Sequence, residues 1–203
     1  MDLRSSFERF AGNKLLKWDY TKKQMVDTGV TGSLQVYDRF ISDRDFGQKK
    51  RIFLVPGEFT LNKSKLIVQV EGVNSFFMVE SATPDADEGG IYGTSVVIRE
   101  ARHRVKLYKV IGTKRASGVG YAQGKLEVIE ETFGDYGRYS SDESREFDNV
   151  DYTVGTWYFP YGTRVDLDSI IQDEDGVFYQ VKESTTFLDL IMVRVQEREG
   201  GDV

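Results

Sequence analysis

The sequence contains no cysteine, a single histidine and only three prolines among 203 residues. Without cysteine the chain forms no disulfide, no thiolate nucleophile and no cysteine-ligated zinc site. A histidine-dependent triad or a histidine-rich metal site would have to centre on His103. No run approaches the ~20 apolar residues of a membrane-spanning helix, and residues 1–6 lack the apolar core of a signal peptide. We therefore expect a protein that is made in the cytoplasm and has no membrane partner.

Basic residues are also in the minority, since 27 Lys and Arg stand against 33 Asp and Glu and give a formal net charge of −6. Binding nucleic acid along an extended face requires clustered Lys and Arg, so this balance argues against that function. The same balance does not exclude a protein that surrounds double-stranded DNA without sequence-specific binding, since mild repulsion would help the DNA slide. Aromatic residues, in contrast, make up 13% of the chain, and there are 20 glycines, which is typical of strands joined by tight turns.

Twelve segments read as β-strands, because apolar residues alternate with polar ones or fall in short β-branched runs. The predicted strands are Lys14–Tyr20, Gly32–Phe40, Lys50–Val55, Leu66–Glu71, Ser75–Ser81, Thr94–Arg99, Arg104–Ile111, Lys125–Glu131, Asp151–Phe159, Ser169–Asp173, Val177–Glu183 and Leu188–Val195. Turn pairs such as Asp175-Gly176 separate them. Only residues 2–11, ahead of Gly12, show the spacing of an amphipathic helix. The predicted fold class is all-β with a short N-terminal helix.

The sequence also repeats itself. Segments 32–40, 53–64, 66–85 and 94–100 recur in the same order as segments 124–133, 158–169, 170–186 and 190–197. Each copy contains an acidic-Gly-Val turn followed by an aromatic pair, Phe76-Phe77 in the first and Phe178-Tyr179 in the second. The alternative explanation is that any two β-barrels have similar hairpin sequences, but four matches in the same order favour a duplicated unit.

The predicted organisation is an N-terminal helix or arm over residues 1–13, followed by two small β-barrel or sandwich units over 14–101 and 102–203. The predicted loops differ between the units, at 42–49 and 83–93 in the first and at 134–149 in the second. Loops on a small barrel usually carry the specific contacts. The candidate contacts to neighbouring subunits or partners are Asp43, Arg44, Phe46, Lys49, Asp85, Asp87, Glu88, Tyr136, Arg138 and Tyr139.

No catalytic or cofactor-binding pattern emerges from the remaining residues. His103 lies between two arginines at the predicted junction of the units, where we expect an exposed or linker role. The acidic segment 83–90 offers oxygen ligands but lacks the EF-hand calcium-loop pattern. The glycine-rich segment 112–124 does not match a P-loop and is better explained as a hairpin tip. We therefore predict no enzyme activity, no metal and no cofactor.

The C-terminal stretch 162–197 resembles the closing part of the head-closure, or stopper, proteins of tailed bacteriophages. The residues that carry this resemblance are Ile170-Ile171, Asp175-Gly176, Phe178-Tyr179, Val181 and Leu190–Val195. Residues 3–20 also look like the opening of such proteins, a short helix that leads into a first strand. The chain is longer than a single barrel of this family and contains the unit twice, so neck or tail ring protein is the broader description.

The resemblance implies a structural protein of the virion. Copies would form a ring in the head-to-tail connector around the DNA channel, between a portal-side adaptor and tail-side proteins. The alternative is a tail or tail-hub β-domain that binds a neighbouring virion protein or a host carbohydrate, with Trp18, Trp157, Tyr136 and Tyr139 as the candidate aromatic contacts. A hydrolase is a third possibility, and the missing catalytic constellation argues against it.

Overall fold

The computed structural model describes residues 12–37, 50–114, 121–138 and 154–198. Within these ranges the chain forms strands and turns and no helix, which confirms the all-β prediction. The predicted helix over residues 2–11 lies outside them. In chain order the strands are β1 Asn13–Asp19, β2 Gln24–Tyr37, β3 Lys50–Pro56, β4 Ile67–Val70, β5 Phe77–Asp87, β6 Gly90–Glu100, β7 His103–Lys114, β8 Tyr121–Arg138, β9 Val154–Pro160, β10 Ile170–Gln172, β11 Phe178–Phe187 and β12 Leu190–Arg198. Each predicted strand overlaps one of these.

The described chain divides into two compact units. Unit 1 comprises the residues up to Ala101 together with Pro160–Gly162 and Leu188–Leu190, and unit 2 comprises the others. The strands of unit 1 form a closed barrel in the order β1-β2-β3-β6-β5-β4. Antiparallel pairing of β1 with β4, with Leu15 opposite Val70, closes this barrel. Its interior is filled by aliphatic side chains around Phe53 and Phe77, both fully buried.

The strands of unit 2 form a second closed barrel in the order β7-β8-β9-β12-β11-β10. Antiparallel pairing of β7 with β10, with Leu107 opposite Ile171, closes it. Its core contains more aromatic residues than that of unit 1, with Trp157, Phe159 and Tyr179 among aliphatic neighbours. The strand order matches that of unit 1 position by position, so the prediction of two tandem small β-barrels is confirmed.

Equivalent positions in the two barrels carry equivalent packing. In unit 1, Val68 on β4 lies opposite the buried Phe77, and in unit 2, Ile171 on β10 lies opposite the buried Tyr179. The preceding residues, Phe76 and Phe178, contact an aromatic ring on the first strand of their own unit. The ring centroids are 6.0 Å apart for Trp18 and Phe76, and 6.4 Å apart for Tyr108 and Phe178.

The backbone repeats as well, at positions where most residues would be strained. Lys65 and Asp168 each lie two residues before the short fourth strand of their unit, and both have positive φ, 53° and 67°. Gly72 and Gly176 form the following turn with φ of 83° and 84°. Glycine is favoured there because it lacks the Cβ that makes this region costly for other residues.

Two predicted loops are wrong in their extent. The segment Thr83–Gly93 is largely a hairpin, because β5 continues to Asp87 and β6 starts at Gly90. Residues 134–138 likewise belong to β8 rather than to a loop. Both faces of the β5–β6 hairpin end are largely exposed, so the alternation of apolar and polar residues that identifies a strand is lost there.

Candidate interaction surfaces

The hairpin formed by β7 and β8 extends further than the corresponding hairpin of unit 1. There, β1 ends one residue after Trp18, whereas β7 continues from the equivalent Tyr108 to Lys114. We call Lys109–Ile111 of β7 and Lys125–Ile129 of β8 the β7–β8 extension; residues 109–111 pair with residues 125–127. Because the corresponding hairpin of unit 1 is shorter, the β7–β8 extension is a surface that the barrel architecture common to both units does not require.

Apolar residues are exposed on the β7–β8 extension. The exposed fractions are 47% for Ile111, 51% for Val128 and 39% for Ile129. Ile129 is a β-bulge, since the residues on either side of it lie opposite consecutive residues of β7. Lys109 and Glu127 are also exposed and lie opposite each other. Three exposed apolar side chains concentrated in this short segment make it a candidate contact site.

Sequence reasoning did not identify this surface. Lys125–Glu131 was predicted as a strand, and apolar residues in a strand are normally assigned to the core. The available signal was the consecutive pair Val128-Ile129, which places an apolar residue on each face of the strand ahead of two glutamates.

The acidic candidates of unit 1 lie on the β5–β6 hairpin. Asp85 accepts a hydrogen bond from the Ser95 hydroxyl at 2.7 Å, and Asp87 accepts one from the backbone N–H of Gly89 at 2.8 Å. Glu88 is exposed in the turn. Two of the three carboxylates therefore shape the hairpin itself.

The other predicted contact residues are distributed differently. Tyr136 lies on β8, and its ring packs against Trp157 and Tyr179 with centroids 5.0 Å and 5.1 Å apart. Arg138 is the last residue of β8. Five candidates lie outside the described residues, namely Asp43, Arg44, Phe46, Lys49 and Tyr139.

The aromatic residues considered for carbohydrate binding are mostly occupied by packing. Trp157 is only 1% exposed and stacks on Phe159 with ring centroids 5.8 Å apart. Trp18 is half-buried and meets Phe76 edge to face. A sugar-binding platform requires an accessible ring face, which Trp157 does not offer.

His103 lies on β7 with both a polar and an aromatic neighbour. Its Nδ1 is 3.0 Å from the Glu174 Oε1, and its ring meets Trp157 edge to face at 5.6 Å. Glu174 lies in the turn between β10 and β11. The single histidine therefore ties this turn to β7, and neither neighbour is a nucleophile that it could activate.

The carboxylate of Asp135 is fully buried at the edge of the unit 2 core. The Nε of Arg102 donates a hydrogen bond to its Oδ1 at 2.7 Å, while the Arg102 side chain is itself partly exposed. A buried carboxylate that loses its cation is costly, whereas an exposed arginine that loses its carboxylate can turn to solvent. The pair is therefore asymmetric in its effect on stability.

We expect Arg102→Met to lower the free energy of unfolding by about 2 kcal/mol, because it removes a guanidinium that bonds to the fully buried Asp135 carboxylate. Arg104→Met is the matched control, since Arg104 pairs with Glu131 at 3.0 Å in an exposed setting and its loss should cost about 0.5 kcal/mol or less. Urea unfolding of both variants checks this. Equal losses for the two variants would contradict the assignment.

Tyr179 also contributes a buried polar group to the unit 2 core. Its hydroxyl donates to the Oδ2 of Asp173 at 3.0 Å. Burial first, and then this hydrogen bond to a carboxylate, raise the pKa of Tyr179 above its ordinary value. Because the folded state favours the neutral phenol, its stabilising effect is full below the unfolded pKa of about 10 and declines as pH rises above it.

We expect Tyr179→Phe to cost about 1 kcal/mol at neutral pH through the lost hydrogen bond. Unit 1 carries Phe77 at the equivalent position, so the substituted ring should fit. The stability difference between the variant and the wild type should shrink as pH rises above about 10, because the variant has no phenol at position 179 to ionise on unfolding. Urea midpoints over an alkaline pH series measure this. A difference that stays constant across the series would show that Tyr179 does not resist ionisation.

Within the described ranges, no group of three or more His, Asp or Glu side chains is arranged to hold a metal ion. The same part of the chain contains no helix long and apolar enough to span a membrane. Comparison with protein-family models gives no match, and comparison with curated proteins gives none either.

Proposed function

We propose that this chain is a structural protein of a tailed-phage virion, which forms a ring in the head-to-tail connector around the DNA channel. The β7–β8 extension is the observation that carries the proposal, because it adds an exposed apolar surface to a barrel that does not need it for closure. Assembly proteins require such surfaces, and repeated side-by-side contacts generate closed rings. The resemblance of residues 162–197 to head-closure proteins supports the choice of assembly.

The proposed partners are other copies of the chain, a portal-side adaptor and tail-side proteins. Double-stranded DNA passes through the ring without sequence-specific contacts, in keeping with the net charge of −6. The alternative of a tail or tail-hub domain that binds a virion neighbour shares this surface. Its carbohydrate-binding form is weakened by the burial of Trp157 and the packing of Tyr136.

The experiment that tests this proposal uses phage particles assembled without the protein. We expect DNA-filled heads that fail to join tails or lose their genome, as seen by negative-stain electron microscopy, and recovery of complete particles when the protein is supplied from a plasmid. Tailed particles that retain DNA without the protein would overturn the connector role. Intact particles that fail only to adsorb to cells would favour the host-binding alternative.

A further inference from the structure

Within the described residues, the two strands of the β7–β8 extension pair with each other and with no other strand. β10 pairs with β7 from Lys106 to Tyr108, and β9 pairs with β8 from Asp135 to Arg138. No described strand pairs with the outer edges of Lys109–Ile111 and Lys125–Ile129. Unpaired backbone N–H and C=O groups along such edges form a template for another strand.

The outer edge of β5, in contrast, carries features that discourage pairing. Beyond its pairing with β4, which ends at Met78, Pro84 has no N–H to donate, and two register shifts distort the strand. Asp85 and Asp87 add negative charge. The described part of the β7–β8 extension contains no proline, and its exposed Val128-Ile129 pair is β-branched.

The two outer edges offer one pair of opposite charges. The β7 edge carries the exposed Lys109, two residues before Ile111, and the β8 edge carries the exposed Glu127 between the exposed Lys125 and Val128. A β7 edge against a second β7 edge would bring lysines together, which is destabilising. A β7 edge against a β8 edge brings Lys109 and Glu127 together, repeating between two molecules the pair that lies opposite within each hairpin.

We propose that the β7–β8 extension binds a second copy of this chain, with the β7 edge of one molecule paired antiparallel to the β8 edge of the next. The contact covers Ile111 on one molecule and Val128 on the other. A two-fold contact between two β8 edges would place Lys125 opposite Glu127 but would leave Ile111 exposed. Because the two paired edges differ, a molecule that binds through its β7 edge can still bind another copy through its β8 edge. The contact therefore propagates head to tail.

This inference rests on the ring proposed above, for which it supplies the contact between neighbouring copies. The experiment uses the full chain in sedimentation velocity over a range of concentrations. We expect the wild type to associate as concentration rises. Lys109→Glu alone and Glu127→Lys alone should each weaken association about tenfold or more, because each places like charges at the interface. An equimolar mixture of the two variants should restore association, since alternating molecules again join opposite charges.

Lys17→Glu is the control, because it makes the same change in charge on β1, where Lys17 has a strand partner on each side. It should associate as the wild type does. Circular dichroism establishes that each variant is folded. If a charge reversal prevents folding, Lys109→Gln or Glu127→Gln is used in its place. Both glutamine variants should also associate more weakly than the wild type.

A wild type that stays monomeric at every concentration would overturn the contact. So would Lys109→Glu that associates as the wild type does, the result expected of a two-fold β8 contact, or a mixture that fails to recover. These results concern only the contact between copies. The virion role fails separately, if particles assembled without the protein are complete.

Discussion

Replacing Trp157 with alanine is expected to lower the free energy of unfolding by about 3–5 kcal/mol, the range seen when a large buried aromatic side chain is truncated. The indole is 1% exposed and lies among the rings of Phe159, Tyr136 and Tyr179. Truncation removes contacts to all three and leaves a cavity that they cannot fill together. Since domains are stable by only about 5–15 kcal/mol, this is a large share of the total. Urea unfolding followed by far-ultraviolet circular dichroism measures the loss.

Two further variants separate ring packing from other effects of Trp157. The indole Nε1 has no hydrogen-bond partner in the part of the chain that the structure describes, so Trp157→Phe removes no hydrogen bond and should cost clearly less than Trp157→Ala. Trp18→Ala removes a half-buried ring and should also cost less. If Trp157→Ala proved no more damaging than Trp18→Ala, the indole would not be the centre of the unit 2 core.

Gly32→Ala is expected to cost about 3 kcal/mol, at the upper end of the usual range for overpacking. A Cβ at this position would lie 2.3 Å from the backbone oxygen of Leu54 and 2.5 Å from the ring of Phe53. The oxygen belongs to the neighbouring strand, so it cannot move without displacing β3. The added methyl group must therefore separate two paired strands next to the unit 1 core. Thermal and urea unfolding both report the loss.

Gly12→Ala is the matched control for this change, because a Cβ at Gly12 would have no heavy atom within 4 Å. The same addition of one methyl group should then alter stability by about 0.5 kcal/mol or less. If the two variants were equally stable, β2 and β3 would have to tolerate a wider separation than their pairing indicates.

The twelve strands could be predicted from the sequence because most of them lie in the barrel wall. The strand β7 shows this over residues 104–107, where Arg104 and Lys106 are exposed and Val105 and Leu107 are buried, so polar and apolar residues alternate with a period of two. The β5–β6 hairpin beyond Thr83 has no buried face, so its residues carry no such period, and a loop was predicted instead. The alternation of apolar and polar residues that identifies a strand is therefore present only where one face of the strand is buried.

Tyr136 shows why contact residues were harder to predict than strands. It lies in a stretch with glycines on both sides, at 134 and 137, which reads as a loop. In the barrel, glycine at 134 leaves room for the ring of Phe159, and a Cβ at Gly155 would lie 2.3 Å from the Tyr136 ring. The rings that require these glycines come from β8 and β9, and a single sequence does not state which strands will be neighbours.

The short fourth strand of each unit, β4 in the first and β10 in the second, has a consequence for folding. β4 has four residues and β10 has three, yet each closes its barrel by pairing with the first strand of the unit, β1 or β7, which lies far earlier in the chain. Hairpins between consecutive strands form quickly, while contacts distant in sequence must first overcome the entropy of closing a long loop. We therefore expect hairpins to appear early on the nascent chain and closure to come last. Until then, each half-built sheet has two open edges, so β4 and β10 determine how long the newly made protein is exposed to misassembly.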